Sequence, residues 1–430
     1  MIMNPQASAL NSILEAQNPA IFSLLSKRGK AIFFPKKGLL MQGQDASGKK
    51  INASIGIATE DDGSPLRLSA IESLVKLPPE KVFPYASSYG LLPLRKSWQS
   101  IIKKKNPSLE STRLTLPVVT NALTHGLSMA GYLFLDEGDT VILPEYYWGN
   151  YNLVFKNAYL AEFDTFPMYK NNGFNLEGMK NKLLSPGEKK VLLLNFPNNP
   201  TGYTPTESEM LGIKDALLEA AEAGKKIAVL IDDAYFGLVF EKGVGTESIF
   251  SHLATLHENV LAVKVDGATK EDYVWGFRVG FVTFSWKGMT EESGQAMVDK
   301  IAGAVRGNIS NDSILSQNLL LAAYDDPGYS ADKESKYQLM KSRYDRVRVT
   351  LNNHPEYSEF FDAVPYNSGY FMCIDLKKGN AEEVRQKLLS DYDTGIIALG
   401  SLIRVAYSSL PEKFIEELFN NIYSACKDLK

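Results

Sequence analysis

The sequence has little cysteine and little histidine. Its 430 residues include only two cysteines, Cys373 and Cys426, and four histidines. Two cysteines so placed cannot build a disulfide framework or a cysteine-based zinc site, and the histidines lack the spacing of metal ligands. The composition therefore predicts no metal centre and no disulfide scaffold.

Long hydrophobic runs and an excess of positive charge are also missing. No apolar run reaches the ~18 residues of a membrane span, and the first residues do not combine a charged region with an apolar core. The net charge is −4 and the pI is about 5.8, whereas nucleic-acid-binding proteins usually carry a basic excess. We therefore expect a cytoplasmic protein with no membrane partner and no nucleic-acid partner.

The chain is long, and its composition, with 44% hydrophobic and 22% charged residues, is typical of a globular protein. A chain of this length predicts one large domain and a smaller one. Short apolar runs that suit strands buried on both faces occur at 116–120, 140–143, 191–194, 227–231, 260–263 and 281–284. Because they alternate with helical patterns, they predict an α/β fold with a mostly parallel sheet.

Apolar residues at helical spacing predict the main helices, at 10–26, 69–77, 94–104, 289–305, 329–352 and 413–427. The stretch Phe33 to Gly38 interrupts the first pattern, which indicates an N-terminal arm. The segments 367–374 and 403–407 resemble strands of a smaller α+β unit. The predicted division is an arm with part of the small domain at 1–60, a large ligand-binding domain at 61–320 and a small domain at 321–430.

Functional side chains follow several of the predicted strands. Trp148, Asn199, Asp232 and Lys270 supply an aromatic ring, an amide, an acid and an amine after four different runs. Ligands of parallel sheets collect at the carboxyl ends of the strands, because those ends meet at one edge. The sequence therefore predicts a binding site at this edge.

Lys270 lies in a turn of small residues, eight positions before Arg278. A lysine in a tight, partly apolar turn loses hydration, so its neutral and nucleophilic form is favoured. An arginine can bind phosphate with two donors, and a helix that opens after Asn121 offers free N–H groups to the same anion. Lysine and phosphate-binding arginine together indicate pyridoxal phosphate (PLP), although a solvated surface lysine is the commoner alternative for such a segment alone.

Other residues allow two interpretations each. Asp232 could cap a helix, or it could pair with a pyridinium nitrogen, at about 4 kcal/mol for charges ~4 Å apart. Trp148 could be core or could stack on a cofactor ring, and Asn199 could simply belong to a turn. Arg404 lies in an apolar strand, where either a bound carboxylate or an internal salt bridge would offset its burial.

The order of these residues resembles that of a known family, the fold type I PLP-dependent aminotransferases of class I/II. The resemblance covers nearly the whole chain, is closest to the aspartate/aromatic branch, and rests on Tyr85, Trp148, Asn199, Asp232, Tyr235, Lys270, Arg278 and Arg404. It implies a large domain with a mostly parallel seven-stranded sheet and a smaller α+β domain. It also implies a homodimer with active sites shared between subunits.

The resemblance assigns the catalytic residues and the groups around the cofactor ring. Lys270 matches the lysine that forms the Schiff base with PLP and then carries the proton. Asp232 matches the acid that pairs with the ring nitrogen. Asn199 and Tyr235 match the pair that bonds the ring oxygen, and Trp148 matches the aromatic residue that stacks on the ring.

The resemblance also assigns the phosphate ligands. Arg278 and Thr124 match phosphate-binding residues, and Leu123 lies in the loop that surrounds the phosphate. Tyr85 resembles the tyrosine that reaches the phosphate of the neighbouring subunit. The cofactor is therefore expected to lie close to the subunit interface.

Substrate binding is assigned in the same way. Arg404 matches the arginine that binds the substrate α-carboxylate, and Ser54, Asn199 and Trp148 are expected near the substrate. Arg306, four residues before Ser310, is similar to the arginine that aspartate aminotransferases extend across the dimer to a side-chain carboxylate. A surface arginine at a helix end is the alternative for Arg306.

Several positions depart from the family pattern. Ala122 and Leu123 stand where glycines are usual, and Gly267 stands where some members have a phosphate-binding serine. Tyr151 replaces a histidine that supports the acid, and Tyr273 is bulkier than the usual residue. Ser54 replaces a glycine near the substrate. These departures leave the expected cofactor intact and leave the substrate open.

We expect a PLP-dependent transaminase that moves an amino group from an L-amino acid (aspartate, glutamate or aromatic) to a 2-oxo acid such as 2-oxoglutarate by a ping-pong mechanism. A PLP-dependent lyase, synthase or decarboxylase on the same fold is the alternative. A ligand-sensing regulator would need a DNA-binding domain ahead of this one, and residues 1–50 are short and weakly basic for that. A nicotinamide enzyme is disfavoured, because no Gly-x-Gly-x-x-Gly follows an early strand.

Overall fold

The computed structural model describes residues 3–17, 22, 25, 30–31, 39–54, 56–72 and 77–429. These residues form a seven-stranded central sheet with helices packed against it and a separate four-stranded antiparallel sheet. The central sheet carries the predicted binding edge, and the smaller sheet carries Arg404.

The strands formed by the described residues are, in chain order, β1 (Ile51–Asn52), β2 (Val118–Asn121), β3 (Thr140–Pro144), β4 (Glu162–Phe166), β5 (Tyr169–Lys170), β6 (Gly173–Phe174), β7 (Lys189–Asn195), β8 (Lys226–Asp232), β9 (Val260–Asp266), β10 (Val279–Ser285), β11 (Phe361–Ala363), β12 (Met372–Leu376), β13 (Thr394–Gly395), β14 (Ile397–Leu399) and β15 (Leu402–Val405).

The α-helices are α1 (Pro5–Gln17), α2 (Leu39–Asp45), α3 (Ser69–Glu72), α4 (Leu92–Lys105), α5 (Ala122–Phe134), α6 (Leu176–Leu184), α7 (Glu207–Glu222), α8 (Ile249–Leu253), α9 (Ala268–Glu271), α10 (Glu291–Asn308), α11 (Ile314–Tyr324), α12 (Tyr329–Asn353), α13 (Ala381–Asp391) and α14 (Ile415–Asp428). Among the described residues, no helix has both the length and the apolar character needed to cross a membrane.

The central sheet has the strand order β2-β10-β9-β8-β7-β3-β4. Its pairings are parallel except those of β10, which runs antiparallel to both of its neighbours. The predicted, mostly parallel seven-stranded sheet is therefore confirmed, and each of the six predicted apolar runs contributes a strand to it. These runs form strands because their side chains are buried between the helices on the two faces.

The strand β4 is the member of this sheet that the search for apolar runs missed. Its sequence, Glu162 to Phe166, mixes exposed and buried residues, because it lies at the edge of the sheet and is covered less completely. The predicted strand at 367–374 is also displaced, since the structure has a strand only at Met372–Leu376. Residues 367 and 368 instead bond the backbone of Gly202.

The predicted helices at 94–104, 289–305, 329–352 and 413–427 are present, with ends shifted by up to three residues. The helix expected at 69–77 is seen at Ser69–Glu72, and residues 73–76 lie outside the described part of the chain. The helix expected at 10–26 corresponds to α1 up to Gln17, and most of the residues beyond it are not described. The predicted break at Phe33–Gly38 also falls outside the described residues.

An N-terminal segment joins the C-terminal part of the chain. Strand β1 pairs in parallel with β13, so that Ile51 lies opposite Thr394. The Gln42 side chain exchanges two hydrogen bonds with the backbone of Ala398, at 3.0 and 2.6 Å. These contacts agree with an arm that contributes to the smaller unit, whereas the boundaries at residues 60 and 320 stay a prediction.

The start of β10 and the start of α5 approach each other closely. The Ala122 N–H donates to the Arg278 carbonyl at 3.0 Å. A Cβ atom added at Gly280 would lie 2.6 Å from the Ala122 carbonyl carbon and 2.9 Å from the Leu123 nitrogen. Since these neighbours are backbone atoms at a helix N-terminus, a side chain at position 280 would displace the first turn of α5.

We therefore predict that Gly280→Ala lowers the free energy of unfolding by about 1–3 kcal/mol, the usual cost of forcing extra volume into a packed region. The matched control is Gly276→Ala, because no atom lies within 4 Å of a Cβ built there. Denaturant unfolding of both variants would measure the difference. Equal stabilities for the two variants would contradict the close approach.

Candidate active site

Two of the predicted functional strands end side by side. Asn195 and Asp232, the last residues of β7 and β8, lie opposite each other in the parallel register. The Asn195 amide donates to the Asp232 carbonyl at 2.8 Å, and its oxygen accepts from the Asn199 N–H at 2.8 Å. Asn195 thereby folds the loop after β7 back toward the strand ends and fixes Asn199 there.

Asp232 is a buried carboxyl with two donors. The Tyr151 hydroxyl donates to one oxygen at 2.5 Å, and the Ala234 N–H donates to the other at 3.1 Å. Burial raises the pKa of Asp232, while Tyr151 and Lys270 oppose the rise. Burial, together with the nearby Asp232, also raises the pKa of Tyr151 well above its usual value, so Tyr151 remains a donor. A further cation beside Asp232 would favour the charged carboxylate.

Lys270 is half-buried, and its Nζ lies 5.2 Å from the centre of the Tyr235 ring. Burial lowers the pKa of the amine, Asp232 raises it, and Arg278 lowers it further. Since burial is the largest of these effects, the neutral amine is more accessible than in a solvated lysine. The structure therefore gives Lys270 the property that the sequence predicted for a nucleophile.

Arg404 lies on β15 with its guanidinium directed at the same region. Its two terminal nitrogens donate to the Asn199 side-chain oxygen at 3.3 Å and to the Ser54 carbonyl at 3.2 Å, and the Phe371 ring lies 4.3 Å away. No carboxylate of the described residues forms an ion pair with Arg404, and its buried Nε has no hydrogen-bond partner there. An internal salt bridge is therefore not the explanation of this buried cation.

Tyr235 lies beside Asn199 and Arg404. Burial raises the pKa of the Tyr235 hydroxyl, whereas Arg404 and a hydrogen bond with Asn199 oppose that rise. The hydroxyl thus stays protonated at neutral pH and can donate a hydrogen bond. Trp148 is held nearby by an edge-to-face contact with the Tyr151 ring, at 5.6 Å between centroids.

A set of donors surrounds the N-terminus of α5. Asn121 makes no side-chain cap of this helix, so N–H groups of its first turn stay available. The Thr269 hydroxyl is buried and has no hydrogen-bond partner among the described residues. Arg278, whose φ of 56° is left-handed, donates from one nitrogen to the Trp275 carbonyl at 3.2 Å, and within the described part of the chain its other donors have no hydrogen-bond partner. Free amides, a hydroxyl and a guanidinium together suit an anion.

These side chains surround one cavity of about 630 Å³. The predicted residues in its wall are Ser54, Leu123, Thr124, Trp148, Asn199, Asp232, Tyr235, Lys270, Arg278 and Arg404. Among the described residues, no group of three or more His, Cys, Asp or Glu side chains is arranged to hold a metal ion. The cavity therefore combines an anion-binding end, a buried acid and amine, and a second guanidinium.

Two predicted residues, Tyr85 and Arg306, are not in this wall. Tyr85 is 92% exposed, and Arg306 is also exposed and donates to the Ser310 hydroxyl at 2.8 Å. The Ser88 hydroxyl donates to the Ser310 carbonyl at 2.7 Å, so the segments that carry Tyr85 and Arg306 are neighbours. Both residues lie on one outer surface rather than in the cavity of their own chain.

The wall includes Ala122, which the resemblance placed in the phosphate loop beside Leu123. It also contains residues that the sequence did not predict, namely Gly43, Gln44, Ser47, Gly56, Asn195, Ala234, Thr269 and Phe371. Thr269 and Asn195 could have been found, since one precedes Lys270 and the other ends a buried strand. Gly43, Gln44 and Ser47 carry no such signal, because their place depends on the pairing of the N-terminal segment with β13.

Comparisons with known proteins agree with this geometry. The sequence model for "Aminotransferase class I and II" matches residues 49–422. An aspartate aminotransferase of Bacillus sp. (strain YM-2) is 26% identical over an alignment of 360 positions, which covers 78% of this chain and 82% of that protein. A cytoplasmic aspartate aminotransferase of Schizosaccharomyces pombe is 24% identical over an alignment of 322 positions, which covers 72% of this chain and 76% of that protein.

Solved structures show the same fold. The crystal structure of an aminotransferase from Anaerococcus prevotii superposes with a TM-score of 0.83 at 23% sequence identity. The superposition covers 94% of this chain and 99% of the other. The central sheet and the smaller sheet therefore belong to one shared architecture.

Tyr151→Phe should remove the donor to Asp232 while keeping the ring packing. We predict a loss of about 1.5–3 kcal/mol in the free energy of unfolding, because a buried carboxylate loses a charge-assisted hydrogen bond. The control is Tyr147→Phe, whose hydroxyl lies 3.5 Å from its acceptor on Asn152 and makes a weak bond. Denaturant titrations at neutral pH would compare them, and equal effects of the two changes would refute the importance of the Tyr151 bond.

Proposed function

The chain belongs to the class I and II aminotransferases, and we propose that its substrates are amino acids with a side-chain carboxylate and the matching 2-oxo acids. Members of this family are PLP-dependent, so the chain is a PLP-dependent transaminase. The observation that supports a transaminase site is the convergence of Lys270, Asp232, Arg278 and Arg404 on one cavity.

The residues present fit PLP. The buried Thr269 hydroxyl and the uncapped first turn of α5 are donors in need of an acceptor, as a phosphate would supply. The buried Arg404 Nε likewise has no partner among the described residues. Asp232 is a carboxyl that a positively charged ring nitrogen would stabilise in its ionised form. We propose that Arg278, Thr124, Thr269 and the backbone at Leu123 hold the phosphate.

Bound PLP supplies an electron sink for the bond that breaks at the substrate Cα. In our proposal Arg404 binds the substrate α-carboxylate with two parallel donors and so fixes the Cα–H bond relative to Lys270. Burial favours the neutral form of the Lys270 amine. This amine would take the Cα proton as a general base and then deliver a proton to C4′, the carbon of PLP that retains the amino nitrogen.

Three further residues tune the site in this proposal. Asp232, supported by Tyr151, would provide a negative charge to the cofactor ring nitrogen, and Tyr235 would donate a hydrogen bond to the ring oxygen. Trp148 would offer the ring a flat apolar face and exclude water from it. Because one Arg404 serves both the amino acid and the 2-oxo acid, the two substrates bind in turn, which is a ping-pong scheme.

In this proposal, binding of the substrate's side-chain carboxylate requires a second subunit. Arg306 is exposed, and among the described residues no acid forms an ion pair with it. Tyr85 lies on the neighbouring segment with its ring in solvent. We propose a homodimer in which Tyr85 reaches the phosphate and Arg306 the substrate side chain of the partner's site. The relatives named aspartate aminotransferase support this choice, and the name of the S. pombe relative supports a cytoplasmic location.

Lys270→Ala should abolish transamination, with a loss of at least ~10²–10⁴-fold, because the general base and the covalent attachment are both removed. The visible absorbance of the PLP-loaded protein should vanish, and borohydride should no longer attach PLP to the chain. Lys287→Ala, a change of an exposed lysine, is the control and should leave both unchanged. Substantial turnover of Lys270→Ala, with 2-oxo acid consumed in step with amino acid, would overturn the assignment.

Arg306→Ala should lower kcat/KM for aspartate on the order of 10²-fold, the effect of removing one partner of a buried charge pair. Aromatic donors should change little, since they have no side-chain carboxylate. A panel of amino donors with 2-oxoglutarate would measure both. Undiminished aspartate activity would exclude the dicarboxylate assignment but not the transaminase itself.

Mixed dimers test whether Arg306 acts on the site of its own chain or on the site of the partner chain. In a dimer of one Lys270→Ala chain and one Arg306→Ala chain, an arginine that acts across the interface leaves one site with both Lys270 and Arg306 intact. Aspartate activity should then approach half that of the wild type. If Arg306 acts within its own chain, no intact site remains and the mixed dimer stays inactive toward aspartate.

A further inference from the structure

Lys270 lies in a segment that cannot hold its own conformation. The helix α9 is a single turn, Ala268–Glu271, and isolated helices of this length are unstable in water. The residue Tyr273 that follows has a left-handed φ of 56°, which costs energy for a bulky side chain. Contacts from outside the turn must therefore fix it, and the two acids directly after Lys270 make those contacts.

Glu271 and Asp272, called here the acidic pair, are both buried. The Lys105 amine contacts the two oxygens of Glu271 at 2.6 and 2.7 Å. The Lys333 amine bridges the pair, at 2.9 Å from Glu271 and 2.8 Å from Asp272. Burial alone would raise the pKa of Glu271, but Lys105 and Lys333 lower it to about 2. Glu271 is thus ionised at neutral pH and is held by two lysines.

Asp272 has two tyrosine donors in addition to Lys333. The Tyr329 hydroxyl donates at 2.6 Å and the Tyr324 hydroxyl at 2.9 Å. The Asp272 side chain is fully buried. Each of these donors compensates part of the cost of removing the carboxylate from water. The pair is therefore a rigid anchor rather than a solvated acidic surface.

The partners of the acidic pair come from the ends of three helices. Lys105 is the last residue of α4, Tyr324 is the last residue of α11, and Tyr329 and Lys333 lie in the first turns of α12. The Lys270 carbonyl itself accepts from the Tyr370 hydroxyl at 3.0 Å. The turn that carries the amine is thus attached to helices outside the cavity, and none of the partners of the acidic pair lies in the cavity wall.

We propose that the acidic pair, together with Tyr329 and Lys333, are positioning residues that set the orientation of the Lys270 amine in the cavity. They act through the backbone of the turn and do not touch substrate or cofactor. The inference rests on the proposed role of Lys270. It adds that the start of α12 helps to determine how that amine is directed.

The test compares two tyrosines of α12 that each donate to a buried or half-buried carboxylate. Tyr329→Phe removes one donor from Asp272, whereas Tyr344→Phe removes a donor from Glu241, away from the Lys270 turn. Both should lower the melting temperature to a similar extent. Only Tyr329→Phe should lower kcat, by about 10-fold to 10²-fold with KM changed less than about twofold, because misplacement of a reacting group affects the reaction step.

A second readout does not depend on turnover. The visible circular dichroism per bound PLP reports a fixed orientation of PLP relative to its lysine, so its amplitude should fall in Tyr329→Phe and not in Tyr344→Phe. Lys333→Arg keeps the charge with a different donor geometry and should reproduce the loss if Tyr329→Phe does not fold. If a folded Tyr329→Phe or Lys333→Arg variant keeps both its dichroism and its kcat, these residues only stabilise the fold, and the inference is overturned. Peptide mapping of borohydride-reduced wild type separates the two proposals, because PLP attached elsewhere than Lys270 would overturn the proposed function itself.

Discussion

The buried carboxyl of Asp232 is the constraint on which the rest of the site depends. An ionised acid at the end of a fully covered strand is expensive unless donors and cations surround it. Tyr151 and Ala234 provide the donors, and Lys270 provides a nearby amine. These three groups lower the pKa of Asp232 by less than burial raises it, so the pKa stays above its usual value. A cation bound beside Asp232 would therefore favour its ionised form.

The parallel sheet explains how these groups come together. In a sheet in which β7, β8 and β9 run in one direction, the residues that follow each strand emerge at the same edge. Antiparallel β10 reverses this direction, so its first residue lies at that edge and places Arg278 beside the N-terminus of α5. Anion-binding groups and the buried acid are thus neighbours because of strand direction, and the smaller sheet adds Arg404 from the opposite side.

Much of this arrangement could be predicted from the residues, and the limits have physical causes. Runs such as 191–194 and 227–231 are apolar throughout because both faces are covered, so they identify central strands, whereas β4 at the sheet edge mixes polar and apolar residues and was missed. Asp232 and Lys270 could be assigned to one edge because each follows such a run. Gln44 could not, since its place depends on a distant pairing. The resemblance supplied the roles of Tyr85 and Arg306, and these remain predictions because they require a second chain.

Strand β1 pairs with β13 at Ile51 and Thr394, and hydrogen bonds between Gln42 and Ala398 support this pairing. The pairing has a consequence for folding during synthesis. Gln42 and Ala398 are 356 residues apart in the chain. A growing polypeptide emerges N-terminus first, so the segment at 39–54 leaves the ribosome long before its partner strand exists. Contacts of such sequence separation are slow to form. The pairing of Ile51 with Thr394 therefore cannot form until nearly the whole chain has been synthesised.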